Sequence, residues 1–142
     1  MTQTIRLPEL PDISLLRAAA AAEGYDHMET LAREWAQGSE RFDKPGCAIF
    51  GVYADGDLIG VGGLTREPTD PEGDALRVRR LYVHPDHRAR GVGRAIVGAL
   101  VQEAFDSVST LTVGRTKADE FWRKMGFSPV CDERGLSYRL KR

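Results

Sequence analysis

The sequence predicts one α/β (α+β) domain spanning residues 1–142, with elements in the order β-α-α-β-β-β-α-β-α-β-β. Three observations carry that prediction. Apolar residues recur at helical spacing between Leu15 and Trp35, and from Ala48 the pattern changes to short β-type apolar runs. Further on, a turn rich in arginine and glycine, Arg88 to Gly93, joins a strand to another helix. A chain of 142 residues buries a continuous core without disulfides or structural metal, and no stretch reads as a repeat, a low-complexity tail or a dividing linker.

Ile5 to Leu10 is a candidate first strand. Asp12 can then cap a helix carrying Leu15, Leu16, Ala19 and Ala20, which Gly24 stops. Asp26 starts a second helix, where Met28, Leu31, Ala32 and Trp35 make a core face and Glu29 completes a variant capping box. Ala48–Ala54 and Leu58–Thr65 flank an Asp55-Gly56 turn and read as a β-hairpin. The polar stretch Arg66 to Asp74, with Pro68, Pro71 and Gly73, reads as a surface loop before a strand from Leu76 to Val83. Pro85 ends that strand. The helix after the glycine turn runs to about Phe105, with Arg94, Gly98, Gln102 and Asp106 on its polar strip. A short strand at Leu111 to Val113, a helix from Ala118 to Met125 closed by Gly126, and strands at Phe127 to Cys131 and Leu136 to Lys141 complete the chain.

Charge excludes some partners. The 20 basic residues nearly cancel the 21 acidic ones, so no overall field draws the protein to nucleic acid or an anionic membrane, and any anion site must be local. Cys47 and Cys131 are too few for a disulfide framework, and neither has zinc-ligand spacing. They read as reduced, partly buried thiols. The opening Met1 to Arg6 lacks a signal-peptide pattern, so the expectation is a cytoplasmic protein with no membrane segment.

Chemistry concentrates in the stretch from Arg80 to Arg94. The first amides of a helix lack internal partners and carry the positive end of its dipole, which makes a ready anion site that a pyrophosphate fits. Gly91 and Gly93 remove side chains that would hold an anion away, while Arg88, Arg90 and Arg94 add charge at the rim. The plain alternative is a glycine-containing connection with solvated arginines. A dinucleotide-binding turn fits poorly, because Ile96 stands where the third glycine is expected and no acidic residue follows about 20 residues on. The Gly-Lys-Ser/Thr ending of an NTPase phosphate loop is absent as well.

Arg88-x-x-Gly91-x-Gly93, directly after Leu81-Tyr82-Val83 and His84-Pro85, resembles the coenzyme A pyrophosphate motif of the GNAT acetyltransferases. Ala118-x-x-Phe121-Trp122-x-Lys124-x-Gly126-Phe127 resembles the later helix of the same family, usually written with Phe-Tyr and ending in Gly-Phe. The element order agrees over nearly the whole chain. The resemblance implies a GNAT-like mixed central sheet, flanked by helices and splayed open between the strand at Leu76 to Val83 and the one at Leu111 to Val113. It implies acetyl-CoA as cosubstrate in that cleft and direct acetyl transfer to an amine. Leu81, Tyr82 and Val83 would meet the pantetheine and acetyl group, and amides from Arg88 through Ala89, Arg90, Gly91, Val92 and Gly93 to Arg94 the pyrophosphate. The acceptor would enter opposite, near the first two helices and the loops at 66–74 and 132–136. The chemistry requires no metal, and His84 and His87, in a turn with Pro85, do not read as one. Homodimers are common in the family, but no residue here selects one.

Two departures from the family pattern bear on mechanism. Many members carry a glutamate on the strand before the pyrophosphate turn, where this chain has Arg77, followed by Arg79 and Arg80. Glu67 is the substitute base, its alternative being a solvated carboxylate among Asp70, Glu72 and Asp74. Trp122 replaces the tyrosine that often protonates the leaving sulfur, and indole donates a hydrogen bond without serving as that acid. Tyr25, Tyr53, Tyr82 and Tyr138 are the other phenols. Helical spacing puts Phe121 and Met125 on the inward face and Trp122 about 100° around, at the cofactor cleft. Gly60 and Gly62, on one strand face, allow either a close approach of backbone or acceptor, or a bulge. These departures leave a second functional class open, a non-catalytic acyl-CoA-binding sensor or interaction module.

Overall fold

Sheet pairing begins with the first residues of the chain: β1 (Thr2–Arg6) runs antiparallel along β2 (Ala48–Ala54). The computed structural model describes residues 2–114, 116–133 and 135–142. β1 starts earlier than the apolar run Ile5 to Leu10 predicts. Edge pairing needs backbone donors and tolerates polar side chains, and after the Leu7 amide bonds the Ile49 carbonyl at 2.8 Å, Pro8 has no N–H to offer.

α1 (Ser14–Ala22) and α2 (His27–Gln37) form a layer on one face of the sheet. Asp12 accepts from the Ser14 amide at 2.9 Å, which starts α1, and Gly24 follows its end at φ 85°. Leu16 and Ala20 are buried, whereas Leu15, expected beside them, points to solvent. The capping box does not form. The Glu29 carboxylate instead accepts from Arg17 Nε and Nη2 at 2.7 and 2.8 Å, tying α2 to α1.

Asp55 and Gly56 adopt φ 52° and 85°, the left-handed pair that a two-residue hairpin turn needs, and β3 (Asp57–Arg66) returns along β2 as predicted. β4 (Ala75–Val83) pairs antiparallel with β3. The connecting segment is not wholly a surface loop, because Glu67 is only 6% exposed. α3 (Val92–Phe105) then crosses to β5 (Thr110–Val113), which is parallel to β4. α4 (Asp119–Lys124), closed by Gly126 at φ 91°, precedes the antiparallel strands β6 (Ser128–Asp132) and β7 (Gly135–Lys141). Arg134, in the 132–136 segment expected to border the acceptor, lies outside the described residues.

The sheet order is β1-β2-β3-β4-β5-β7-β6, with α3 and α4 on one face and α1 and α2 on the other. Val92, Ile96, Val97, Leu100 and Ala104 of α3 fill the first core, as the apolar side of that helix predicts. Cys47 is buried, whereas Cys131 is exposed rather than partly buried.

Gly60 and Gly62 serve this packing. A Cβ at Gly62 would lie 2.7 Å from Ile96 Cγ2, and one at Gly60 would lie 3.0 Å from both Ile96 Cδ1 and Val92 Cγ1. The close approach is therefore that of α3, inside the core. Gly62→Ala is expected to destabilise the fold by about 1–3 kcal/mol through overpacking. Denaturant unfolding checks it, and no loss of stability would mean that α3 shifts freely.

Candidate functional site

The sheet opens because β4 outlasts its partner. β5 pairs with β4 from Ala75↔Thr110 to Val78↔Val113 and stops there, while β4 continues through Arg79 to Val83. A bulge marks the divergence: Arg79 opposes Gly63 and Tyr82 opposes Val61, so Arg80 and Leu81 together face Gly62. Arg80 takes φ 57°, a left-handed conformation that side chains resist, and an ion pair to Glu34 of α2 at 2.8 Å helps to hold it.

Beyond the bulge, the His84 amide bonds the Ile59 carbonyl at 2.8 Å. Backbone direction alternates along a strand, so Leu81 and Val83 turn their N–H and C=O groups the other way, into the opening. Side chains occupy both carbonyls: His27 Nε2 lies 3.2 Å from the Leu81 oxygen, and Arg88 Nε donates to the Val83 oxygen at 3.1 Å. Burial lowers the pKa of His27, although its bond to Leu81 opposes that shift.

The chain leaves β4 through one 3-10 turn, Pro85–His87, capped by His84 Nδ1, which accepts from the Asp86 amide at 3.1 Å. His84 is thus used locally. Ala89 and Gly91 follow at φ 61° and 83°, and Gly91 is the N-cap of α3 without any side-chain cap. The first amides of α3 have no partner within the helix, and a Cβ on Gly91 would meet nothing within 4 Å. The result is an uncapped, open helix N-terminus at the mouth of the gap.

A cleft of about 1000 Å³ runs from this N-terminus along the free edge of β4. Leu81, Tyr82, Val83, Arg88, Ala89, Gly91, Val92, Gly93 and Arg94 line it, while Arg90 is exposed beyond its lining. The α1–α2 connection, Gly24 to His27, closes the opposite wall. Sequence reading missed this wall. A helix-stopping glycine followed by Tyr25 and His27 was the signal available, but only the tertiary fold brings it to β4.

Arg88 is anchored before any ligand arrives. Its two terminal nitrogens bond the Glu23 carboxylate at 2.7 and 2.6 Å, and the Tyr82 hydroxyl donates to the same group. The Arg88 bonds, then that of Tyr82, hold the Glu23 carboxyl down to about 2, while burial and the Glu23 bond push the Tyr82 phenol up. A carboxyl depressed in the folded state stabilises the fold above its unfolded value, about 4.3, and that contribution fades as pH falls toward 2. The melting-temperature difference between parent and Glu23→Gln should therefore be constant near pH 6–7 and shrink below about pH 4.5. A difference independent of pH would show that the clasp is not electrostatic.

A second cavity, of about 400 Å³, lies beside the bulge and shares Leu81, Thr116, Ala118 and Phe121 with the cleft. Arg77, Arg79 and Arg80 line it, as does Trp122. Glu67 reaches it only through Arg77, with which it forms an ion pair, so it is not the solvated loop carboxylate of the plain alternative. The orientation of α4 also differs from expectation. Trp122, 3% exposed, is the inward residue, packed edge-to-face between Phe121 and Phe127 with Nε1 donating to Thr116 Oγ1 at 3.3 Å. Phe121 takes the border position on both cavities, because the larger indole fills the core and the charged Arg123 and Lys124 must face water.

The sequence profile of the Acetyltransferase (GNAT) family matches residues 13–127, which takes in both helical layers, the bulge, the glycine turn and α4. The chain belongs to the GNAT family. An uncharacterized N-acetyltransferase of Halalkalibacterium halodurans is 32% identical over 88 residues, 58% of this chain and 50% of that protein. One from Brevibacillus brevis is 33% identical over 89 residues, covering 58% and 55%. This GNAT chain thus spans about half the length of the curated relatives it matches. Solved structures share the fold over nearly the full chain. An acetyltransferase-like protein from Exiguobacterium gives a TM-score of 0.89 at 24% identity, covering 99% of this chain and 93% of that one. The PaiA N-acetyltransferase of Thermoplasma acidophilum, solved with coenzyme A, gives 0.69 at 16% identity, covering 100% and 99%. No helix of the described residues is long and apolar enough to cross a membrane.

Proposed function

We propose that this chain moves an acetyl group from acetyl-CoA directly to an amine, acting in the cytoplasm, where Cys47 and Cys131 stay reduced. The observation that carries this reading is the free edge of β4 ending at the uncapped N-terminus of α3, with open space where a Gly91 side chain would stand. Such an edge offers an extended amide-containing chain the ladder partners that β5 stops providing, and the helix end offers a phosphate its unpaired amides. Acetyl-CoA would supply both parts, together with an acetyl group activated as a thioester.

The protein's share is positioning. Leu81 and Val83 would bind through their backbone, displacing His27 and Arg88 from their carbonyls, and the amides from Arg88 to Arg94 would bind phosphate with Arg94 at the rim. The amine would arrive through the second cavity. Its nitrogen bonds the acetyl carbon as the carbon–sulfur bond breaks, the sulfur leaves with the electron pair, and the amine loses a proton. Glu67 lines neither cavity, so we assign that proton to a water-linked group within the cleft. His27 meets the requirement, since burial favours its neutral, proton-accepting form. The leaving thiolate, of ordinary pKa about 8.5, departs without needing Trp122 as an acid.

Thiol release from acetyl-CoA across a panel of amines tests the proposal. Acceleration by at least one amine class is expected. Tight acetyl-CoA binding with no acceleration by any amine would favour the acyl-CoA-binding module instead.

A further inference from the structure

We propose that the acceptor amine carries a carboxylate and that Arg79 binds it in the second cavity, an assignment that rests on the acetyltransferase reading above. Three arginines are among the residues that line that cavity, and the guanidinium groups of two of them are compensated. Arg77 pairs with Glu67, and Arg80 pairs with Glu34 at 2.8 Å. Among the described residues, Arg79 has no carboxylate within 4 Å, and its side-chain contact is the hydroxyl of Thr65 at 3.4 Å. Glu40 contributes to its field from farther away, its own carboxylate accepting from the Phe42 amide at 2.9 Å.

An arginine carries five N–H donors in a planar fork, and one long bond to Thr65 leaves most of them unused. Burial disfavours the charged form of Arg79, as do the neighbouring charges of Arg80 and Arg77, while the more distant carboxylates of Glu34 and Glu40 offset them in part. A half-buried guanidinium without a counterion is costly, and a bidentate carboxylate removes that cost. The surroundings point the same way. Arg77 Nε and Arg80 Nε are buried donors without hydrogen-bond partners, which adds to the unmet donor capacity around Arg79, whereas the unpartnered Glu67 Oε2 is an acceptor that calls for an N–H or O–H donor instead. With Glu67 and Glu34 answering two of the three arginines, one positive charge is left over, which suits a carboxylate better than the nearly double charge of a phosphate monoester. Leu81, at the reacting edge of β4, borders the same cavity, so an anion on Arg79 would orient a nearby amine toward the strand.

The experiment compares α-amino acids with their carboxamides as acceptors, using parent, Arg79→Met and Arg79→Lys proteins. Thiol release should show the parent preferring acids over amides by about tenfold or more in kcat/KM, a preference that Arg79→Met abolishes through KM and Arg79→Lys partly keeps. Calorimetric titration of N-acetyl amino acids and N-acetyl carboxamides into the CoA-bound protein gives the same comparison without turnover. Equal use or equal binding of acids and amides by the parent, or a preference that survives Arg79→Met, overturns the assignment. So does a lack of binding by both. Acetyl-CoA affinity, measured on the same samples, keeps the two ideas apart: its absence defeats the acetyltransferase reading, whereas intact affinity without an acid preference defeats only the role of Arg79.

Discussion

Gly91→Val is expected to weaken acetyl-CoA binding by about 10–100-fold while changing the KM for the amine far less. The magnitude follows from losing one charge-assisted hydrogen bond at the helix end, about 1.5–3 kcal/mol. Gly91 lines the cleft as N-cap of α3, and the space over its α-carbon is open, so branched methyl groups would stand where an anion meets the amides. The residue also sits at φ 83°, where a β-branched side chain is strained by about 1–3 kcal/mol. Some thermal stability should therefore fall as well. Gly91→Ala, with less bulk, separates the two effects: it should keep more affinity than Gly91→Val. Calorimetry on the folded protein measures this, and equal affinity in parent and both variants would remove the phosphate site from this helix end.

Trp122→Ala should cost about 3–5 kcal/mol of stability, the range for truncating a large buried aromatic residue. The indole is 3% exposed, contacts Phe121 and Phe127 edge-to-face and joins the core beneath α3. Trp122→Phe should lose much less, about 1 kcal/mol for the bond to Thr116 plus some packing. Under conditions where Trp122→Ala is still folded, acetyl-CoA affinity should stay within about threefold of the parent, since Phe121 rather than Trp122 borders the large cleft. Unfolding curves and calorimetry on the same samples decide the matter. A large loss of affinity with little loss of stability would return Trp122 to the cofactor site.

The two departures that stood out in the sequence have structural accounts. Arg77, standing where many family members have a glutamate, still has one beside it: Glu67 arrives from the other arm of the β3–β4 connection and pairs with it. Local pattern could not show this, because Glu67 sits among Asp70, Glu72 and Asp74 in a segment that reads as solvated. Trp122 was legible as unusual but not as inward. A six-residue helix offers two adjacent aromatic residues, and only the depth of the neighbouring core decides which of them it buries.

What was legible was what local chemistry dictates. The Asp55-Gly56 turn set the hairpin, Gly24 and Gly126 stopped their helices, and the glycine-arginine turn located the start of α3, which begins at Val92 inside the expected turn. Long-range closure was not legible. The wall formed by Gly24 to His27, the clasp of Glu23 on Arg88 and the pairing of Arg80 with Glu34 join residues 46 to 65 positions apart in the chain. The Arg80 bulge was hidden too, because nothing in Arg-Arg-Leu marks a left-handed position, and a glycine there would have announced it.

The central claim is that the free edge of β4 and the N-terminus of α3 together hold acetyl-CoA. Amide chemical shifts followed through an acetyl-CoA titration test it residue by residue. The largest changes are expected at Leu81, Val83 and the amides from Gly91 to Arg94, with Arg88 and Glu23 responding as their clasp loosens. Saturable shifts confined to other parts of the chain, or no shifts at millimolar acetyl-CoA, would contradict it.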